Sequence, residues 1–280
     1  MTVPTEERFI EATDLSIFFR SWRPMTPTRA VFVIVPGFNA HSGYYQWVAE
    51  ELVRNGLAAY AIDLRGRGKS DGERFFVQDF AEYEADVAGL VALVAARNPG
   101  VPIFLFGHSA GGVVACLYAL DYQAKLHGLI CESFAHELPA PDFALTAIKG
   151  LSHLAPHAHV LRLKNEDFSR DPLVVAAMNA DPLIVDEAQP AQTLAALVRA
   201  DEKLKQKFSD ITLPLLILHG TADKAAKPSG SQHFFEKAGA ADKTLKLYDD
   251  SFHDPLNDTD REKVFADIVT WIDAHLPTPA

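Results

Sequence analysis

A serine enclosed by two glycines, Gly107-His108-Ser109-Ala110-Gly111, is the segment of this chain best suited to chemistry. A serine hydroxyl is a weak nucleophile and needs a base within hydrogen-bond reach, with an acid to orient that base. Gly-x-Ser-x-Gly acquires catalytic meaning when a strand runs into it and a helix leaves it, because the tight turn then presents the serine oxygen. Residues 102–106 are apolar and read as a buried strand, and the small residues of 111–120 read as a helix. Larger side chains at 107 and 111 would collide with the neighbouring helix or strand, which accounts for glycine at both. A glycine-rich turn that only lets a helix pack closely on a sheet is the plainer alternative. Partners for Ser109 decide between the two.

With this elbow the partners follow in the order serine, acid, histidine. After the apolar run 213–218 comes His219-Gly220-Thr221-Ala222-Asp223, and after 244–248 comes Asp249-Asp250-Ser251-Phe252-His253. Asp223 is the expected acid and His253 the expected base, on a polar loop before the last helix. Glu132, ending the strand after the elbow, is a rival acid, whereas Asp249 and Asp250 precede His253 too closely to reach its ring. His108 and His219 read as loop supports, and His41 as structural or solvated. A tetrahedral intermediate needs two donors. The N–H of Ala110, just after the nucleophile, is one. The loop 35–44 should supply the other, from Phe38, since Pro36 has no N–H.

These residues need a scaffold. Short apolar runs at 30–35, 58–62, 103–106, 128–131, 213–218 and 244–248 lack alternation, as parallel strands covered on both faces do. Helical patterns at 46–54, 80–97 and 260–275 lie between or after them, the last opened by a capping-box pattern, Thr259-x-x-Glu262. Residues 8–22 suggest an antiparallel hairpin around Asp14. The expectation is an α/β fold with a mostly parallel central sheet and helices on both faces. From 135 to 201 no strand is read. Helical patterns at 143–154, 173–178 and 191–198 suggest a lid inserted between core segments 1–134 and 202–280.

At 280 residues and 48% hydrophobic, the chain can bury one large core, and 22% charged residues argue against disorder. A formal net charge of −11 argues against nucleic acid or an anionic membrane surface as an electrostatic partner. Cys116 and Cys131 sit in apolar runs and read as buried and unpaired. No metal-ligand spacing, secretory leader or apolar run of bilayer length is read, so the expectation is a cytoplasmic protein. The turn Asp63-Leu64-Arg65-Gly66-Arg67-Gly68-Lys69-Ser70 has the glycines and cations of a phosphate loop. Its lysine is misplaced and its glycine spacing wrong, so a structural turn with a buried Asp63–Arg65 interaction is expected, and no cofactor.

The loop Gly37…His41-Ser42-Gly43-x-Tyr45, the turn Asp63-x-Arg65-Gly66-x-Gly68-x-Ser70, the elbow, His219-Gly220-x-x-Asp223 and His253 resemble the monoacylglycerol lipases. These belong to the lysophospholipase-like branch of the α/β hydrolases. The segment Ser169-Arg170-Asp171-Pro172 … Asn179-Ala180-Asp181-Pro182-Leu183 resembles bacterial members of that family. The resemblance implies hydrolysis of monoacylglycerol or a similar acyl ester, with Ser109, Asp223 and His253 as triad and Phe38 and Ala110 as oxyanion donors. The apolar lid residues Phe143, Leu145, Ile148 and Leu151 would form an acyl tunnel or a surface touching lipid. A lactone, thioester, lysophospholipid or short-chain ester is the alternative acyl donor, and a catalytically silent ligand receptor is the reading from another class. Three residues depart from the family pattern: Pro36 stands where His is usual, Ala110 where Met is common, and Asp254 where Glu follows the base.

Overall fold

The computed structural model describes residues 3–137 and 142–277. Strands β1 (Thr5–Ile10) and β2 (Ser16–Trp22) form the N-terminal hairpin, turning at Asp14 with φ 62°. Then come β3 (Val31–Val35), α1 (Gln46–Arg54), β4 (Ala58–Ile62), α2 (Phe80–Arg97), β5 (Ile103–His108), α3 (Ala110–Tyr122) and β6 (Gly128–Glu132). The segment that follows β6 holds α4 (Asp142–Leu154), β7 (His159–Leu161), α5 (Pro172–Ala180), β8 (Gln189–Pro190) and α6 (Ala191–Lys205). The chain closes with β9 (Leu215–Gly220), α7 (Pro228–Lys237), β10 (Lys243–Tyr248) and α8 (Arg261–Ala274).

Eight strands form one sheet in the order β1-β2-β4-β3-β5-β6-β9-β10, parallel from β4 to β10. Period-two geometry sends alternate residues to opposite faces. Val31, Val33, Val35 and Leu105 therefore pack with α2 and α3 residues such as Val87, Leu90 and Val113. Phe32, Ile34, Phe104 and Phe106 pack instead with Val48 and Leu52 of α1 and Ile268 and Trp271 of α8. Both faces are dry, which is why the strands read as unbroken apolar runs. Among the described residues, no helix is long and apolar enough to cross a membrane.

Three local expectations fail. The segment 135–201, part of which lies outside the described residues, does contain strands: β7 and β8 pair antiparallel. They are three and two residues long, too short to show a period. The capping box at Thr259 and Glu262 does not form. Helix α8 starts at Arg261 behind Asp260, with no side-chain cap. The capping box sits on α2 instead, where Asp79 and Glu82 cap reciprocally. Arg65 does not pair with Asp63. It holds Asp86 at 2.7 Å and Glu11 at 3.2 Å, while Asp63 accepts the N–H groups of Ser42 and Lys69 at 2.6 and 2.8 Å. Cys116 and Cys131 are buried free thiols with sulfurs 3.6 Å apart, well beyond a disulfide bond.

Candidate active site

Strand β5 delivers the chain to Ser109, which adopts φ 55° and ψ −121° before α3 begins at Ala110. Such a left-handed conformation costs a non-glycine residue on the order of 1–3 kcal/mol, offset by surroundings that over-determine it. Those surroundings are tight. A Cβ on Gly107 would lie 2.4 Å from the Gly111 oxygen, and one on Gly111 would lie 2.2 Å from the Val35 oxygen. The N–H of Ser109 donates to the Glu132 carbonyl at 2.9 Å, tying the turn to β6.

The structure brings together three expected residues from three strand ends. His253 Nε2 stands 2.8 Å from Ser109 Oγ, and its Nδ1 donates to Asp223 Oδ2 at 2.7 Å. Asp223 Oδ2 also accepts from His219 Nε2 at 2.9 Å, and Oδ1 accepts the N–H groups of Ala225 and Ala226 at 2.7 and 3.0 Å. Burial alone would raise the Asp223 pKa, but the His253 charge and hydrogen bonds from both histidines hold it well below the usual carboxylate range. His219 is thus a direct partner of the acid, which its place in a strand-end turn did not reveal. Its Nδ1 meets Ser231 Oγ at 2.6 Å, which fixes the ring.

The rival acid Glu132 sits elsewhere: it accepts the N–H of Leu256, three residues beyond His253, at 2.9 Å. His253, on the loop before the last helix, is itself buried, being 1% exposed. His108 Nε2 donates to its carbonyl at 3.0 Å, and the Phe168 ring stands edge-on to its imidazole at 5.0 Å. Arg170 completes the clamp by binding Asp258 with its backbone N–H and guanidinium, both at 2.8 Å. These contacts explain the Ser169-Arg170-Asp171-Pro172 segment.

The loop after β3 brings Phe38 beside the elbow; a Cβ on Gly37 would lie 2.8 Å from the Ser109 Cβ. His41 is buried and pairs with Asp181 at 2.8 Å. Arg67 of the turn 63–70 lies 4.3 Å over the Phe38 ring and forms a buried ion pair with Glu187. Glu187 in turn accepts the Asn39 N–H at 3.0 Å. That turn therefore fastens the 135–201 segment to the Phe38 loop.

Ser109 opens onto a cavity of about 310 Å³ lined by Phe38, Ala110, Leu145, Ile148, Leu194 and Leu197. Among the described residues, two side-chain clusters apart from Ser109, Asp223 and His253 gather three possible metal-binding atoms each, His136 with Glu137 and His233, and His108 with Glu132 and Asp254. Neither was visible as a spacing pattern. In the first, His136 is already held by Asp201 and by His233 Nδ1, the latter at 2.9 Å.

A parallel sheet sandwiched by helices, with a strained serine at the end of a central strand, defines an α/β hydrolase. Comparison with known proteins agrees. Residues 26–260 match the family described as serine aminopeptidase, S33, and the chain belongs to that family. It is 32% identical over 275 residues to the monoacylglycerol lipase of Mycolicibacterium smegmatis, covering 97% of this chain and 98% of that protein. It is 30% identical to the monoglyceride lipase of Homo sapiens, covering 96% and 90%. The crystal structure of Paleococcus ferrophilus monoacylglycerol lipase superposes with a TM-score of 0.83 at 29% identity, covering 92% of this chain and 99% of that one. The chain is a carboxylic ester hydrolase of the monoacylglycerol lipase-like kind.

Proposed function

We propose that Ser109, His253 and Asp223 are a catalytic triad that hydrolyses monoacylglycerols through an acyl-enzyme intermediate. One observation carries the reading: the unbroken relay from Ser109 Oγ to His253 at 2.8 Å and on to Asp223 at 2.7 Å. Ser109 attacks the ester carbonyl as His253 Nε2 takes its proton. The developing oxyanion is met by the N–H groups of Phe38 and Ala110; the latter, as the first residue of α3, has no intrahelical acceptor. His253 then protonates the leaving alcohol, and water, activated by the same imidazole, releases the fatty acid. Asp223 keeps the proton on Nδ1 throughout, so that Nε2 is free to act as base.

The apolar cavity supports an acyl substrate. Its volume of about 310 Å³ and its lining of leucine, isoleucine and phenylalanine side chains suit an aliphatic chain. Residues 135–201 serve as a helical lid on the core formed by 1–134 and 202–280. Leu145 and Ile148 of α4 face the cavity, whereas Phe143 and Leu154 of α4 and Leu173 of α5 are 78%, 87% and 78% exposed. These exposed apolar groups suit transient contact with lipid aggregates. The names of the relatives support the alcohol moiety.

The test is turnover of monoacylglycerols and 4-nitrophenyl esters of graded chain length by wild type and Ser109→Ala. The expected result is a loss on the order of 10⁶-fold in kcat for the variant. Wild-type turnover by Ser109→Ala would overturn the triad. Preference for short esters, lactones or thioesters over monoacylglycerols would overturn the substrate alone.

A further inference from the structure

Three side-chain atoms beside the His253 loop have no hydrogen-bond partner although all are buried: His108 Nδ1, Glu132 Oε2 and Asp254 Oδ1. The three residues are 0%, 0% and 7% exposed, and one nitrogen of His108 and one oxygen of each carboxyl lie within 4.8 Å of one another. Their remaining polar atoms are all engaged. Glu132 Oε1 accepts from Leu256 N at 2.9 Å, and Asp254 Oδ2 accepts from Asn257 Nδ2 at 2.9 Å. His108 Nε2 faces the His253 carbonyl at 3.0 Å and must therefore carry the hydrogen, which leaves Nδ1 a bare lone pair. With both carboxyls ionised, three acceptors would face one another without a donor, and two negative charges would be buried side by side. Buried acceptors of that kind cost free energy until a donor is supplied. One proton supplies it.

We propose that Glu132 is held as a neutral carboxylic acid whose hydroxyl donates to the Asp254 carboxylate, and that this acid pair is a positioning device for His253. The inference rests on His253 being the base. Every member of the cluster touches that loop: Glu132 through the Leu256 N–H, Asp254 by being the next residue, His108 through the His253 carbonyl. Ionisation of Glu132 would push two carboxylates apart directly beneath the histidine and shift Nε2 relative to Ser109. The titratable groups near Glu132 are His108 from β5, Asp254 from the loop after β10, and Asp223 from the loop after β9. Tyr248 of β10 and the buried, unpartnered hydroxyl of Tyr45 lie within electrostatic reach. Burial and the Asp254 charge both push the Glu132 carboxyl well above its ordinary range, against the Leu256 N–H, which favours the anion.

The sign of the pH effect follows. The native protein keeps a proton that the unfolded chain releases near the ordinary value of 4.5. The stability this group contributes is thus full below that pH and is lost as pH rises toward the native pKa. Glu132→Gln keeps an acceptor for Leu256 and a donor for Asp254 but cannot titrate. The experiment is thermal unfolding from pH 5 to pH 9 of Ser109→Ala with and without Glu132→Gln, a readout independent of turnover. In parallel, the rate at which a fluorophosphonate labels Ser109 is followed with and without Glu132→Gln. The Tm advantage of the Gln variant and its labelling ratio should both grow with pH. Asp254→Asn, which removes the facing charge, should flatten the same slope and serves if the Gln variant misfolds. A pH-independent Tm difference would overturn the proposal. So would one equivalent of a divalent metal in the purified protein whose removal by chelator lowers Tm, since an ion would then neutralise the cluster. Failure of wild type to label at any pH would instead count against His253 as base, while the Tm series would still report on the acid pair.

Discussion

Cutting the ion pair between Arg67 and Glu187 should loosen the 135–201 segment and the Phe38 loop together, and the two halves of the pair should not be equivalent. Their side chains are 3% and 1% exposed. Arg67 also donates to Tyr83 Oη at 3.1 Å and Gln189 Oε1 at 2.9 Å, and Glu187 accepts from Gln189 Nε2 at 2.7 Å and Asn39 N at 3.0 Å. Removing one partner of a buried pair costs about 3–5 kcal/mol, because the other charge stays buried. In a chain of this size each kcal/mol moves Tm by roughly 2–4 °C, so the loss is roughly 6–20 °C. Arg67→Met leaves a carboxylate that keeps two N–H donors and can take a proton. Glu187→Gln leaves a guanidinium that cannot lose one, so it should be the worse variant. The double variant should recover part of the loss, since neither charge is then stranded. Urea unfolding followed by tryptophan fluorescence gives all three values. Because Glu187 holds the Asn39 N–H beside Phe38, kcat on a 4-nitrophenyl ester should fall with stability. A cost below about 1 kcal/mol for Glu187→Gln, the size of a surface pair, would refute the reasoning.

Asp223→Asn should lower kcat on the order of 10⁴-fold, since an amide no longer dictates which imidazole nitrogen carries the proton; steady-state kinetics on an activated ester checks this. Gly107→Ala would place a methyl 2.4 Å from a carbonyl oxygen of α3. It should destabilise by at least about 1–3 kcal/mol in thermal unfolding. For monoacylglycerols, kcat/KM should rise about fourfold for each methylene, from about 0.8 kcal/mol per buried CH₂. The rise should stop once the chain outgrows the cavity of about 310 Å³. A rise continuing to the longest chains would mean that the tail leaves by another route.

What could be read from the sequence and what could not divide along one physical line. The elbow is local: a strand, a turn and a helix of contiguous residues, with Gly107 demanded by a contact four residues away, at Gly111. The parallel strands are legible because burial on both faces writes a continuous apolar run. Chain order then singles out Asp223 and His253. Contacts made across the fold leave no such trace. Nothing near His219 says that Ser231, 12 positions on, will fix its ring, nor near Glu132 that it will end under the loop after β10. Arg65 and Asp86 are 21 positions apart. The Thr259 pattern misled because a capping side chain works only if the preceding backbone is free to be a cap. Here the Thr259 N–H that the box needs is already taken by Asp258 Oδ1 at 2.9 Å, and the helix starts later.

The turn 63–70 shows the same division within one segment. Its glycines and cations resemble a phosphate loop because both structures need a sharply bent backbone beside positive charge. What the charge answers to differs. Here the anions are the chain's own carboxylates, Asp86 for Arg65 and Glu187 for Arg67, the second arriving from the segment between β6 and β9, 120 positions later. A cation at such a turn is therefore better read by asking which buried acid the fold can bring to it before a ligand is invoked. The same question, asked of acids with no cation to meet them, leads to Glu132 and Asp254. There β5, β6 and the loop after β10 converge with two carboxyls and a neutral imidazole and no positive side chain in contact among the described residues, so a proton must do what Arg67 does for Glu187.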